Sequence, residues 1–197
     1  APELAHQLAP GDGRITAILS EKLSAPEART AGRNTADRLA RLALRQDAMA
    51  VPAVATLGID AQIRGNTNDA RHFFAYAQKL SRRDLRTQLW AIEDAVGRGD
   101  VAGALRQYDI TLRASLYGPD LLFPVLSAAV ADPAIRGPLI RLLATKPAWG
   151  QPFVEYAANT AEPRATFSLL MGLRRVGMAV PPDANAALID NLLKGSF

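Results

Sequence analysis

The chain has 197 residues, 49% of them apolar and only 6% aromatic, with a formal net charge of +4 and no cysteine. Alanine is the commonest residue, which favours closely packed helices over sandwiches and barrels, and the length suits one core or one continuous helical array. The absence of Cys excludes disulfides, thiolate chemistry and Cys-ligated metal, and no apolar run reaches the roughly eighteen residues needed to cross a bilayer. From the N-terminus, Pro2 and Pro10-Gly11-Asp12-Gly13 bracket no more than a short helical turn. Asp12 is placed to cap a helix running to about Leu23, with Ile15, Ile18, Leu19 and Leu23 along one face. Ser24 is a candidate cap for the next helix, with Pro26 in its first turn and Glu27 complementing its dipole. From Glu27 to about Arg45, Ala36, Leu39, Ala40, Ala43 and Leu44 form an apolar stripe at three-and-four spacing, and a turn follows from Asp47 to Ala50.

Two near copies follow. Asp60-Ala61-Gln62-Ile63-Arg64-Gly65-Asn66 recurs 34 residues later as Asp94-Ala95-Val96-Gly97-Arg98-Gly99-Asp100. Beyond each Gly, Ala70 matches Ala104 and Phe74 matches Tyr108. A fixed period of this length marks stacked helical hairpins. In the first copy a helix runs from about Val51 to Arg64, with Val54, Leu57, Ala61 and Ile63 apolar; Gly65-Asn66 turns the chain, and the return helix spans about Asn68 to Leu80 with Ala70, Phe73, Phe74 and Ala77 inward. In the second, a helix from about Asp84 to Arg98 places Leu89, Ile92 and Val96 inward. Its partner, from about Val101 to Ser115, turns Ala104, Leu105, Tyr108 and Leu112 inward. After Gly118-Pro119 the period decays while helices continue: Asp120 to about Ala131, Asp132-Pro133 to about Ala144, Pro152 to Asn159, Pro163 to Val176 and Asp183 to Leu193. No low-complexity linker divides the chain, so the expectation is one domain over 1–197, with clear repeats at 51–84 and 85–118 and degenerate ones at 17–50 and 119–197.

The periodic segment resembles the tetratricopeptide repeat. Leu57-Gly58, Ala61, Gly65, Ala70, Phe74 and Ala77 fill that family's Leu-Gly, small, turn-Gly, Ala, aromatic and Ala places in order. The second copy keeps Ala95, Gly99, Ala104 and Tyr108 but has Ala91-Ile92 for Leu-Gly and Thr111 for the last Ala. The resemblance implies an all-α, right-handed superhelix of helical hairpins with degenerate flanking helices. It also implies a non-catalytic scaffold that takes a protein or peptide partner in a concave groove lined by the outgoing helices. The matching positions here include Ala55, Ile59, Gln62, Arg86, Leu89 and Glu93. The whole chain is also similar to repeat-carrying proteins of alphaproteobacteria that bear a membrane anchor ahead of the repeats, some beside exopolysaccharide genes. That similarity implies a periplasmic or membrane-tethered place, through a segment ahead of Ala1, in an envelope or polysaccharide-related assembly; the residues themselves are equally compatible with the cytoplasm.

The residues offer little catalytic chemistry. His6 and His72 are the only histidines and have no metal spacing, and neither a phosphate-binding Gly-rich loop nor a nucleophile elbow is present, so no catalytic, cofactor or metal residue is expected. Glu93-Asp94 are adjacent on a helix and diverge by about 100°, while Asp60 and Asp94 precede Arg64 and Arg98 by four, the spacing of a stabilising helix pair. Basic residues are nearly all Arg, with Lys only at positions 22, 79, 146 and 194, and they are scattered; the pI near 9.8 therefore reads as GC-rich codon usage rather than a nucleic-acid surface. The densest charge cluster, Ser81-Arg82-Arg83-Asp84-Leu85-Arg86, joins the two repeats. It reads either as a solvated turn with Asp84 capping the next helix or as an anion-recognising rim. The candidate partner-binding set is thus Ile59, Gln62, Arg82, Arg83, Arg86, Leu89, Trp90 and Glu93. Trp90 has a place in the core as its competing reading, and Arg86 is expected to serve the partner rather than stability. Trp149 is expected to plug its loop onto the last helices. The alternatives are an enzyme or enzyme subunit with a site in the helices after Gly118, and a self-assembling structural part.

Overall fold

A computed structural model describes residues 1–25 and 30–194. Among them lie twelve α-helices and no strand, so the fold is all-α. The helices are α1 (Pro2–Leu8), α2 (Gly13–Leu23), α3 (Thr30–Gln46), α4 (Val51–Ile63), α5 (Thr67–Leu80), α6 (Leu85–Gly97), α7 (Val101–Ala114), α8 (Gly118–Ala129), α9 (Pro133–Leu143), α10 (Gly150–Thr160), α11 (Pro163–Arg175) and α12 (Pro182–Lys194). The segment before Pro10 is a seven-residue helix rather than a single turn, and its His6 Nδ1 lies 3.2 Å from Thr16 Oγ1 of α2. Pro26 and Glu27 lie outside the described residues. Contacts gather the chain into two compact units, Ala1–Trp90 and Ala91–Phe197.

The first unit has a core made mainly of alanine. Ala17, Ala40, Ala43, Ala50 and Ala53 surround Leu57, and Ala55, Ala61 and Ala70 surround Phe74. Within it α2 packs on α3 and α4, and α4 on α5. A methyl side chain lets two helix axes approach, and the resulting close contacts replace the bulk a larger residue would supply. Gly58 extends this to the ring of Phe74: a Cβ there would stand 2.8 Å from it. Asp12 caps α2 as expected, accepting from the backbone N–H groups of Arg14 and Ile15. The face that α2 buries is Gly13, Thr16, Ala17, Leu19 and Ser20; Ile18 is turned outward and half exposed. Ile63, the last residue of α4, is likewise half exposed, while Asp60 and Ala61 of the same turn are buried.

The turns after α4 and α6 close in the same way. Gly65 and Gly99 have φ of +80° and +68°, the left-handed region that glycine enters without a Cβ clash. Asn66 N–H donates to Ala61 O and Gly65 N–H to Gln62 O; Asp100 N–H donates to Ala95 O and Gly99 N–H to Val96 O, all at 2.9–3.0 Å. This paired closure satisfies carbonyls that a helix end would otherwise leave open. The periodicity seen in the sequence is therefore present as repeated local structure. Gly177, with φ of +74°, ends α11 through the same pair of bonds.

In the second unit α8 packs on α7 and α10, α9 on α7 and α11, and α12 on α10 and α11. Its core is built from larger residues, among them Phe123, Leu126, Leu139, Leu143, Phe153, Leu169 and Leu173. Ala104, Leu105, Tyr108 and Leu112 of α7 are buried as expected. Val96, expected inward, is 60% exposed; Ile92 and Ala95 occupy the buried side of α6 instead. Trp149 is buried, meets Phe153 edge-on and donates through Nε1 to Asp109 Oδ1 at 2.9 Å, so it binds its loop to α7 as well as α10.

Overfilling the alanine core tests this packing. Ala70→Leu, at a site with no exposure, should cost about 1–3 kcal/mol in urea unfolding. Ala75→Leu, on the exposed side of α5, should stay within about 0.5 kcal/mol of the parent. Equal losses for the two would contradict the hairpin contact.

Candidate partner-binding surface

Four of the eight sequence candidates reach solvent. Gln62 is exposed in the last turn of α4, Arg82 and Arg83 are exposed in the loop between α5 and α6, and Glu93 is exposed on the part of α6 that belongs to the second unit. Leu89 is half-buried. Ile59 is half-buried and packs against the cluster around Phe74. Trp90 stacks on Phe74, with ring centroids 4.3 Å apart and planes 18° from parallel, so its place is in the first unit's core. Ala55, matched to the groove stripe, is wholly buried in that core and lines no accessible surface.

Arg86 is turned toward α2. Its Nη2 donates to Ser24 Oγ at 3.1 Å and its Nη1 stands 3.0 Å from Glu21 Oε1. The second contact has ion-pair distance without hydrogen-bond alignment, so its attraction is Coulombic. Arg86 therefore ties the start of α6 to the end of α2. Beside it lie polar side chains that no periodic pattern marks: Thr87 and Gln88 are buried, and neither Thr87 Oγ1 nor Gln88 Oε1 has a protein hydrogen-bond partner. Such atoms are costly to bury, and single-sequence reasoning misses them because their helical positions look like any other inward polar residue.

The loop from Ser81 to Asp84 contains the helix cap that one reading of the sequence expects. Asp84 caps α6, accepting from Thr87 N–H at 2.8 Å, and Ser81 Oγ accepts from Arg83 N–H at 3.1 Å. The guanidinium groups of Arg82 and Arg83 remain outside these bonds, and among the described residues they take part in no ion pair. Four arginines are neutralised on their own helices by acids one turn away: Arg41 by Asp37 and Arg64 by Asp60 in the first unit, Arg98 by Asp94 and Arg113 by Asp109 in the second, at 2.8–3.1 Å.

The two equivalent acids of the repeats differ in burial. Asp94 keeps 13% side-chain exposure and Asp60 only 3%. Burial pushes the Asp60 carboxyl above its ordinary range; Arg64 pulls it back, Asp37 of α3 adds to the rise, and Arg33 and Arg41 of α3 oppose it.

Two open clefts of about 400 and 420 Å³ lie in the second unit. The first is lined by Lys146, Pro147, Gln151, Met178 and small residues, with Lys146 its one titratable side chain. The second contains Tyr156 and Glu162, but both Glu162 oxygens accept backbone N–H groups, from Arg164 and Ala165, which holds its carboxyl below the usual range. Among the described residues no three His, Asp or Glu side chains converge, and no described helix is long and apolar enough to cross a membrane. No protein-family model matches the chain, and comparison with curated proteins and with solved structures found no similar relative.

Two measurements check these assignments. A double-mutant cycle on Arg86→Ala and Glu21→Ala should return a coupling of about 0.5–1 kcal/mol in unfolding free energy, whereas a purely partner-facing Arg86 gives none. Because the raised Asp60 carboxyl binds its proton more tightly in the folded chain, it supports stability below the unfolded value and loses that support as pH rises through the folded one. The unfolding free energy of Asp60→Asn relative to the parent should therefore grow between about pH 4 and pH 7; a difference that shrinks over this range refutes the burial argument.

Proposed function

We propose that this chain is a non-catalytic protein-interaction module, a stack of right-handed helical hairpins in the manner of the tetratricopeptide repeat, that engages a partner protein through the junction of its two clear hairpins. One observation carries the reading. At that junction Arg82 and Arg83 stay exposed and in no ion pair, while Arg64 before them and Arg86 after them are matched by Asp60 and Glu21. Two adjacent open guanidinium forks suit carboxylate recognition. Gln62 and the half-buried Leu89 add polar and apolar contact in the same unit, and Arg86 holds the loop's far end in place from inside. A place in a bacterial envelope or polysaccharide-related assembly belongs to this reading and rests on the resemblance alone.

Self-association is a second reading, supported by apolar side chains exposed one turn apart on the terminal helices: Leu4 and Leu8 on α1, Ile189 and Leu193 on α12. Light scattering across a range of concentrations separates it from a monomeric adaptor.

Arg82→Glu/Arg83→Glu tests the first reading. Quantitative cross-linking capture from source-cell envelope and soluble fractions should lose its specific partners at least about tenfold, with an unchanged melting temperature. Retention of every partner by the variant removes the junction from the binding surface.

A further inference from the structure

We infer that the outer side of α5, together with the turn before α4, is a docking site for an acidic protein segment that carries one apolar anchor residue. The inference rests on the adaptor reading and names the partner's chemistry and a second contact surface for it. Helix α5 buries Ala70, Phe74 and Ala77 and leaves His72, Ala75, Tyr76 and Lys79 outside, at the three-and-four spacing of a single stripe. Tyr76 donates its hydroxyl to Ala48 O at 3.1 Å. That bond lays the ring across to the turn where Met49 is 66% exposed, while Tyr76 itself remains 42% exposed. The result is an apolar spot built from the body of α5 and the turn between α3 and α4 and pinned by a hydrogen bond. Tyr and Met are residue types that anchor interfaces, Tyr through large rigid area at low entropic cost and Met through a polarisable side chain that adapts to its partner.

Charge fixes the partner. Lys79 stands one turn beyond Tyr76 on the same stripe, and Arg82 and Arg83 follow directly where α5 ends. Among the described residues none of these three cations is paired. The acids beside Met49 and Arg83 are already used: Asp47 Oδ1 accepts Met49 N–H, its Oδ2 is 3.9 Å from Arg14, and Asp84 caps α6, while the exposed Asp69 stands at the opposite end of α5 from the three cations. An apolar spot bordered on one side by three open cations complements an amphipathic segment with carboxylates to one side of its anchor. It does not complement a nucleic-acid backbone, which needs cations spaced along a track and open ring faces for stacking.

A random-peptide display library selected on the whole chain tests this. The expected result is enrichment of peptides with Asp or Glu beside a Leu, Met or aromatic residue. Their affinity should fall at least about tenfold for Met49→Glu and for Lys79→Glu, with melting temperatures unchanged. Enrichment of peptides without carboxylates, no enrichment, or full binding by Met49→Glu overturns the inference; so does tighter binding of a single-stranded oligonucleotide or of anionic phospholipid vesicles than of the selected peptides. Loss of cellular partners in Arg82→Glu/Arg83→Glu but not in Met49→Glu leaves the adaptor reading standing and removes this site alone.

Discussion

Where α4 and α5 face each other, the backbone at Gly58 comes so close to Phe74 that one added methyl group would lie 2.8 Å from the ring. Phe74 is in turn pressed flat against Trp90, and wholly buried Ala70 and Ala77 flank it on α5. This contact is a chain of dependences: the missing side chain admits the ring, the ring provides the platform for the indole, and the indole sets how the first half of α6 enters the unit. Dispersion at close range supplies the attraction, and it falls off over fractions of an ångström, so the arrangement tolerates little change in volume. The second hairpin has Ile92 in place of Gly58 and Tyr108 in place of Phe74, both buried. The same backbone closure is thus kept with a different set of volumes.

Charge is arranged with comparable economy in the first unit. Asp37 and Asp60 neutralise arginines on their own helices, Glu21 reaches Arg86 across two helices, and Asp84 is taken up by a helix cap. Arg82 and Arg83 take part in no ion pair among the described residues. The sequence cluster shows which residues are basic; which of them stay available depends on where the acids point.

The second unit is held differently. Leu and Phe fill its core, and polar bridges join its helices: Ser127 Oγ to Thr160 Oγ1 at 2.9 Å between α8 and α10, and Trp149 to Asp109 between the loop before α10 and α7. Larger core residues require looser helix spacing, which is consistent with the fading of the alanine and glycine schedule after Gly118.

Much of this was legible in the chain itself. Helix identity and number through the repeats, the two glycine turns and the inward Ala70, Phe74, Ala77 and Ala104 follow from local periodicity and backbone sterics, which need no knowledge of distant residues. The acid–base pairs at Asp60–Arg64 and Asp94–Arg98 were readable for the same reason, since helical spacing alone brings them together. The candidate surface was less so. Ala55 and Arg86 share the outgoing-helix stripe with Gln62, yet one is buried in alanine packing and the other is held by residues 62 positions earlier and beyond. Ile18, Ile63 and Val96 turned outward although their periodic neighbours turned in. Burial and charge pairing depend on which helices meet, and that is decided by tertiary packing; the repeat pattern specifies the shape of each hairpin, whereas only the assembled fold selects which side chains remain free to meet another molecule.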